Sequence, residues 1–478
     1  MSDFEHQKFT ILHTNDLHSH FERAGRIAAL IRQERKLAAE EEVILLDIGD
    51  HMDRMSVETE GTLGGANVDL LNLMSYDGIT IGNNEGLTFT PGTLEKTYSD
   101  LICPVICSNV REMTTGETPK WMLEHFILRK GSCRIAMIGA TAPFTDFYRL
   151  LGWDIVDPIH ALTAEIEKLQ GKYDFLMVLS HLGFNTDQRL AKACPEIDLI
   201  LGGHTHHLLE EPVFVGKTAI CAAGKFGQFI GKVVVEKSAE SGHWHVIQGG
   251  TIPVDAGEED TMITDAIAAH GKLARDNLDR TVTVMDRTLT IDYTHESAFG
   301  NLLAQSVRRF TGSEISLVNA GQLLGNLPQG RITEEMLHAL CPSPINPVRL
   351  KLKGSDIIYS LEQSLLPEYT MKVIQGFGFR GKVLGTLCVD GMKVIFDPDR
   401  TPYDRIIEVR VNGQMLNPEH YYDVGTLDMF TFGVGYERLK ESTDKQYMLP
   451  EFIRDLLRME LQTPEAINQS FQSRWISV

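Results

Sequence analysis

The stretch Ile11-Leu12-His13-Thr14-Asn15-Asp16-Leu17-His18 starts as a buried strand and runs out into a carboxylate and an imidazole. Four later segments repeat the pattern: Leu46-Asp47-Ile48-Gly49-Asp50, Ile81-Gly82-Asn83, Leu179-Ser180-His181 and Leu201-Gly202-Gly203-His204-Thr205-His206. One such segment means little, because Gly-Asp occurs by chance and an Asp after a strand often caps a turn. Five in series predict strands of one sheet system whose carboxyl ends deliver polar donors to a single crevice.

Outward from these segments, residues 8–250 alternate apolar runs with helix-period stretches. Lys8–His13, Val43–Asp47, Pro104–Ser108, Arg134–Ala140, Phe175–Ser180 and Asp198–Leu201 read as buried strands, and Arg23–Lys36 and Ile159–Leu169 as helices. The fold class is therefore α/β, with a layered, largely parallel or mixed sheet. Residues 1–255 form the first domain, 256–284 a linker helix, and 285–478 a second α/β domain. In the second domain, Ile406–Val411 runs into an Asn412-Gly413 hairpin turn.

The formal charge of -20 argues against a nucleic-acid polymer as partner, because phosphate backbones need a basic footprint. Bound cations reverse the field locally, so an acidic chain still suits a small phosphorylated substrate. The N-terminal residues lack a basic stretch followed by an apolar one, and no apolar run is long enough to span a bilayer. Together with seven cysteines, an odd number and mostly in apolar runs, this predicts a cytoplasmic protein with reduced thiols and no membrane partner. Both a monomer and a homo-oligomer are compatible with the sequence.

The donors are Asp16, His18, Asp50, Asn83, His181, His204 and His206. Two cations about 3.5–4 Å apart, holding a water whose pKa falls to about 7, are the usual solution to phosphate-ester hydrolysis. Such a pair needs a bridging carboxylate, for which Asp50 is the candidate. Asp16, His18 and His206 would complete one site and Asn83, His181 and His204 the other. Carboxylate, imidazole and amide donors suit Mn, Zn, Fe or Co.

These segments resemble the calcineurin-like metallophosphoesterases, and the two-domain length resembles the bacterial 5′-nucleotidases within them. The resemblance implies a four-layer N-terminal domain, a β-sandwich flanked by helices, and a 5′-nucleotidase-type C-terminal domain that binds the substrate. It also implies that all seven donors are metal ligands and that the chain hydrolyses nucleotides or related phosphate esters. His206 stands where periplasmic members commonly have Gln, and the chain looks most like the cytoplasmic, YunD-like branch. Nucleotide-sugar pyrophosphatase or phosphodiesterase activity is the alternative within the family. A metal-dependent sensor of phosphorylated metabolites is the non-enzymatic one.

The pattern breaks at Gly82-Asn83-Asn84-Glu85-Gly86-Leu87, where the family's catalytic His and its Asp partner are replaced by Asn84 and Leu87. Asn84 can donate a hydrogen bond but not a proton. In Gly49-Asp50-His51-Met52-Asp53-Arg54, Arg54 resembles a phosphate-gripping Arg of phosphoprotein phosphatases, the other reading being a structural pair with Asp53. His51, His20 and His207 are candidate acids. In the second domain the family resemblance points to Asn319 and Gly321 in a substrate loop. It also points to Phe377, Phe379 and Phe430 as stacking aromatics and to Arg380 as an anion contact.

Overall fold

The computed structural model describes residues 8–38, 43–254, 257–442 and 444–478. They form two compact units, Met1–Ala274 and Arg275–Val478.

In the first unit, the strand Lys8–Thr14 lies between Val43–Asp47, to which it runs parallel, and Phe229–Lys237, to which it runs antiparallel. These belong to a seven-stranded sheet, and Phe175–His181 is central to a second sheet of six strands. The period-2 pattern of the first strand explains the sandwich. Phe9 and Ile11 face inward with Ile44, Leu46, Met137, Phe175, Leu179 and Leu201, while Leu12 faces out with Leu45 onto Ile27, Ile31 and Leu71. The outer face of the second sheet buries Ile138, Val178 and Ile200 against Leu162, Ile166 and Leu190 of the helices Pro158–Leu169 and Phe184–Ala193. The first of these helices starts where its sequence directs: Pro158 takes a first-turn position, and the Asp157 carboxylate accepts the His160 N–H. The resulting layers are helix, sheet, sheet, helix. Each fully buried Leu, Ile or Phe contributes about 1.5–3 kcal/mol, so the two sheets hold each other without needing a cation.

Within the sheets, Lys8–Thr14, Val43–Asp47 and Gly78–Ile79 run parallel, as do Cys133–Thr141, Phe175–His181, Leu199–Gly202 and Thr218–Cys221. All five polar segments therefore leave their sheets at carboxyl ends. The helix Thr261–Leu278 sets Ile263, Ala266 and Ile267 against the first unit's core, and the boundary between the units falls inside this helix.

The second unit has a five-stranded sheet in which Ile315–Asn319 lies parallel to Tyr421–Leu427, and a four-stranded sheet. The helix Ala298–Thr311 packs Phe299, Leu302, Leu303 and Val307 into its core and stops at Gly312 in the left-handed conformation. Asn412 and Gly413 both have positive φ, as a two-residue hairpin turn demands. Among the described residues no helix is long and apolar enough to cross a membrane.

His13 sits inside this sandwich with neither ring nitrogen hydrogen-bonded, opposite Gly231, where a Cβ would lie 1.8 Å from the His13 Nε2. Burial pushes its pKa down to about 4. The unfolded chain therefore binds a proton that the native state refuses, and stability falls as pH drops from about 6.5 towards 4. The shift corresponds to a loss of about 3 kcal/mol. His13→Leu is expected to flatten the urea-unfolding stability profile over that pH window and leave the profile above pH 7 nearly parallel to the parent's.

Candidate metal centre

Two groups of donor atoms meet where the strands end: Asp16 with His18 and His206, and Asp16 with Asp50 and His181. The Oδ1 of Asp16 lies 3.9 Å from His18 Nε2, 4.0 Å from His181 Nε2 and 3.4 Å from His206 Nε2. Asp50 turns one oxygen to each side, Oδ2 at 3.7 Å from His18 Nε2 and Oδ1 at 3.3 Å from His181 Nε2. Asp50 thus faces both groups, and so does Asp16, which the sequence pattern assigns to one. The His204 ring lies 5.4 Å from that of His181, and the His204 backbone N–H reaches both Asp16 oxygens at 3.1 Å.

Asp16, His18, Asp50, His204 and His206 all have φ between 47° and 74°. Left-handed backbone costs a non-glycine residue about 1–3 kcal/mol, and such positions gather where geometry serves a site. Glu85 binds the loops together, accepting the N–H groups of Asp50 (3.0 Å), Met52 (2.7 Å) and Gly82 (2.7 Å). Gly82 permits the contact, since a Cβ there would stand 2.0 Å from Asp50 Oδ1.

A cation fits this donor set. The buried Oδ1 of Asn83 and Nε2 of His181 have no hydrogen-bond partner, while His181 Nδ1 donates to the Ile48 carbonyl at 2.7 Å. That bond leaves the Nε2 lone pair directed at the two carboxylates. Burial opposes charge on His181, but Asp50 and Asp16 outweigh it and hold the pKa above the ordinary value. His18 is likewise raised, against burial, by Asp53, Asp50 and Asp16. Burial would raise Asp50, yet His181 and His18 hold it below the usual carboxylate range. The same carboxylates that favour charge on His181 and His18 would draw a cation to this place.

Two family models match the chain: calcineurin-like phosphoesterase over residues 9–208 and the C-terminal domain of 5′-nucleotidase over residues 274–441. The uncharacterized metallophosphoesterase YunD of Bacillus subtilis is 35% identical over 463 residues, 95% of this chain and 99% of that one. The chain belongs to the metallophosphoesterase family. As a family member it is a hydrolase of phosphate esters that works with two divalent cations. Solved structures share the fold. The NAD nucleotidase of Haemophilus influenzae superposes with a TM-score of 0.70 at 16% identity, covering 98% of this chain and 99% of that one. A 5′-nucleotidase precursor from Thermus thermophilus gives 0.58 at 22% identity, over 98% and 99%.

Around this metallophosphoesterase centre the candidate catalytic residues are otherwise engaged. Arg54 forms a two-pronged ion pair with Glu60 (2.7 and 2.9 Å) and donates to the Thr88 carbonyl at 2.7 Å, so its fork is engaged within the protein. His51 is buried, its Nδ1 3.2 Å from Asp47 and its Nε2 3.1 Å from the Tyr98 hydroxyl. Asp47, Glu85 and Tyr98 enclose it. The Asn84 side chain reaches His18 Nδ1 at 2.8 Å, and its backbone N–H donates to Asp50 Oδ1 at 2.8 Å. His20 pairs with Glu22 at 2.7 Å, and the exposed His207 contacts Thr205 at 2.9 Å. The Phe226 ring, missed in the sequence, stands 5.6 Å from His18 and 6.2 Å from His206.

In the second unit, Asn319 is fully buried, donating to the Leu384 carbonyl and accepting from Gln322, and Gly321 packs where a Cβ would strike the Val383 oxygen. Phe379 and Phe430 are core residues. Arg380 is half-buried, its backbone N–H on Ser343. Phe377 alone of the three phenylalanines is exposed, and it stacks at 6.0 Å on Phe432. Phe432 escaped the sequence reading because it follows Phe430 by two. The short helix Asp428–Thr431 turns Phe430 inward and leaves Phe432 at the surface.

Asp50→Asn is expected to cut bound Mn²⁺ from two per chain to one or none by elemental analysis. Phosphate release should fall by more than about 100-fold, the upper end of what losing an outer-shell partner costs. Because each cation must displace imidazole protons, its apparent affinity rises with pH. Titration calorimetry between pH 6 and 8, in buffers of differing ionisation enthalpy, should show protons released on binding and weaker binding at the acid end.

Proposed function

We propose that this chain hydrolyses phosphate groups of nucleotides or closely related molecules, acting fastest on substrates with weakly basic leaving groups. The observation that carries the reading is the convergence of Asp16 and Asp50 on the Nε2 atoms of His18, His181 and His206, beside the orphaned Asn83 oxygen. Asp16, His18 and His206 would hold one cation and Asn83, His181 and His204 the other, with Asp50 between them. When bound, the two cations supply charge neutralisation at the phosphoryl oxygens and activation of water. Asp16 and Asp50 fix the local negative charge, and the left-handed loops keep it from relaxing away. The Ile48 carbonyl holds the proton of His181 on Nδ1.

The leaving-group preference follows from what surrounds the centre. Asn84 is tied to His18 and Asp50, Arg54 to Glu60, and His51 is sealed below. None of the three can protonate an alkoxide. A positioned acid is worth about 10²–10⁴-fold, so nucleoside alkoxides lose most and aryl or phosphoryl leaving groups least.

Support for a nucleotide comes from Phe377 and Phe432, two exposed rings inclined at 27°, which suit a planar base if they part by about 1 Å. The names of the structural relatives, a 5′-nucleotidase and an NAD nucleotidase, point the same way. The seven cysteines are all unpaired and six are buried, which supports a reducing, cytoplasmic setting.

With Mn²⁺, an aryl phosphate and nucleoside di- and triphosphates are expected to turn over at least about 10-fold faster than AMP or UMP. Asn84→His should raise the monophosphate-to-aryl rate ratio by about 10–100-fold. An unchanged ratio would sink the leaving-group argument. Phe377→Ala and Phe432→Ala should raise KM for nucleotides while leaving KM for a simple aryl phosphate within about twofold.

A further inference from the structure

His18 presents its two nitrogens to different surroundings. Nε2 faces Asp16, Asp50 and His206, the last at 3.3 Å. Nδ1 faces the Asn84 amide nitrogen at 2.8 Å and the Asp53 Oδ2 at 3.6 Å. A neutral imidazole can give one nitrogen to a cation only when the other carries the proton, and that proton needs an acceptor. The Asn84 amide is poorly suited to accept it. Its nitrogen also donates to the Met52 carbonyl at 3.3 Å, which keeps the NH₂, not the oxygen, on the His18 side.

Asp53 is built to be that acceptor. It is buried, its N–H donates to Ser19 Oγ at 2.8 Å, and its Oδ1 accepts the Met55 N–H at 2.9 Å, which turns Oδ2 towards His18. Ser19 is itself fixed by hydrogen bonds from Thr59 (2.7 Å) and Asn67 (3.0 Å). A shift of about 0.5 Å brings the carboxylate and Nδ1 within hydrogen-bond range.

We propose that Asp53 is a positioning residue that keeps the proton of His18 on Nδ1 and so reserves Nε2 for a cation. The Asn84 amide contacts the same nitrogen and favours the opposite tautomer. The proposal rests on His18 being a cation ligand, as in the function proposed above. It makes Asp53 part of the metal centre.

The test uses Mn²⁺ alone, by calorimetry and electron paramagnetic resonance, on the full chain. Asp53→Asn is expected to weaken one of the two Mn²⁺ sites by about 10–100-fold and leave the other within about twofold. Adding Asn84→Asp, which returns a carboxylate to Nδ1 from the other side, should recover at least about 10-fold of that loss. In the Zn²⁺-loaded parent, ¹⁵N-histidine spectra should show a His18 ring protonated at Nδ1, a readout that needs no variant to fold. Parent-like Mn²⁺ binding in Asp53→Asn overturns the proposal. So does a His18 proton on Nε2 in the Zn²⁺ form, or a double variant no tighter than Asp53→Asn. If the parent binds two Mn²⁺ ions and responds to Asp53→Asn but releases no phosphate from any substrate, the hydrolytic reading fails and this one stands. If it binds no Mn²⁺, both fail.

Discussion

Two buried carboxylates with few positive neighbours impose the central constraint on this molecule. Asp16 and Asp50 are almost completely withdrawn from water, and their compensation comes from imidazoles that must take up protons to provide it. Burying such charge is costly unless it is paired. Everything around the pair keeps it from escaping to solvent. Asp16 accepts the backbone N–H of His204, Asp50 accepts that of Asn84, and the Asp50 loop is fastened to the Asn83 loop through Glu85. A fold that invests left-handed backbone and buried carboxylates in one place is organised to receive positive charge there. The sandwich of apolar strands beneath is the platform that makes this possible.

The candidate donors were legible because their chemistry is local in sequence. Each follows an apolar strand directly, with a glycine beside it at Gly49-Asp50, Gly82-Asn83 and Gly203-His204, and strand ends in parallel sheets converge. The hairpin at Asn412-Gly413 was legible for the same reason, since turn chemistry acts over a few residues, whereas the layer order came from the family resemblance. What failed to show was anything decided at long range. Arg54 looked like a phosphate grip because nothing near it announces Glu60 as a better partner. His51 gave no sign that Asp47, Glu85 and Tyr98 would enclose it. In the second unit, the two-residue spacing of Phe430 and Phe432 reads equally well as a strand or as a turn of helix. Only the turn puts one ring inside and the other out.

The replacement of an acid by Asn84 also changes how its neighbours must be understood. A histidine there would point to the substrate. The amide instead bonds sideways to His18 and to the backbone of Met52, and its own N–H secures Asp50. The residue has moved from a position defined by the substrate to one defined by the cations. Asp53 stands on the other side of the same imidazole, its Oδ2 3.6 Å from His18 Nδ1.

That exchange has an energetic logic. Losing a general acid costs rate only for leaving groups that need protonation, whereas misplacing a ligand imidazole costs rate for every substrate. Selection on poorly basic leaving groups would therefore tolerate the first loss and oppose the second. The backbone contact at Asn84 follows that asymmetry, since its N–H secures Asp50. The surroundings of Arg54 and His51 show the same priority, since each is spent on holding the loop that carries Asp50. In this chain the loop after the second strand is held by Glu85, Arg54 and His51, and what it presents at its tip is Asp50, turned to the imidazoles of His18 and His181.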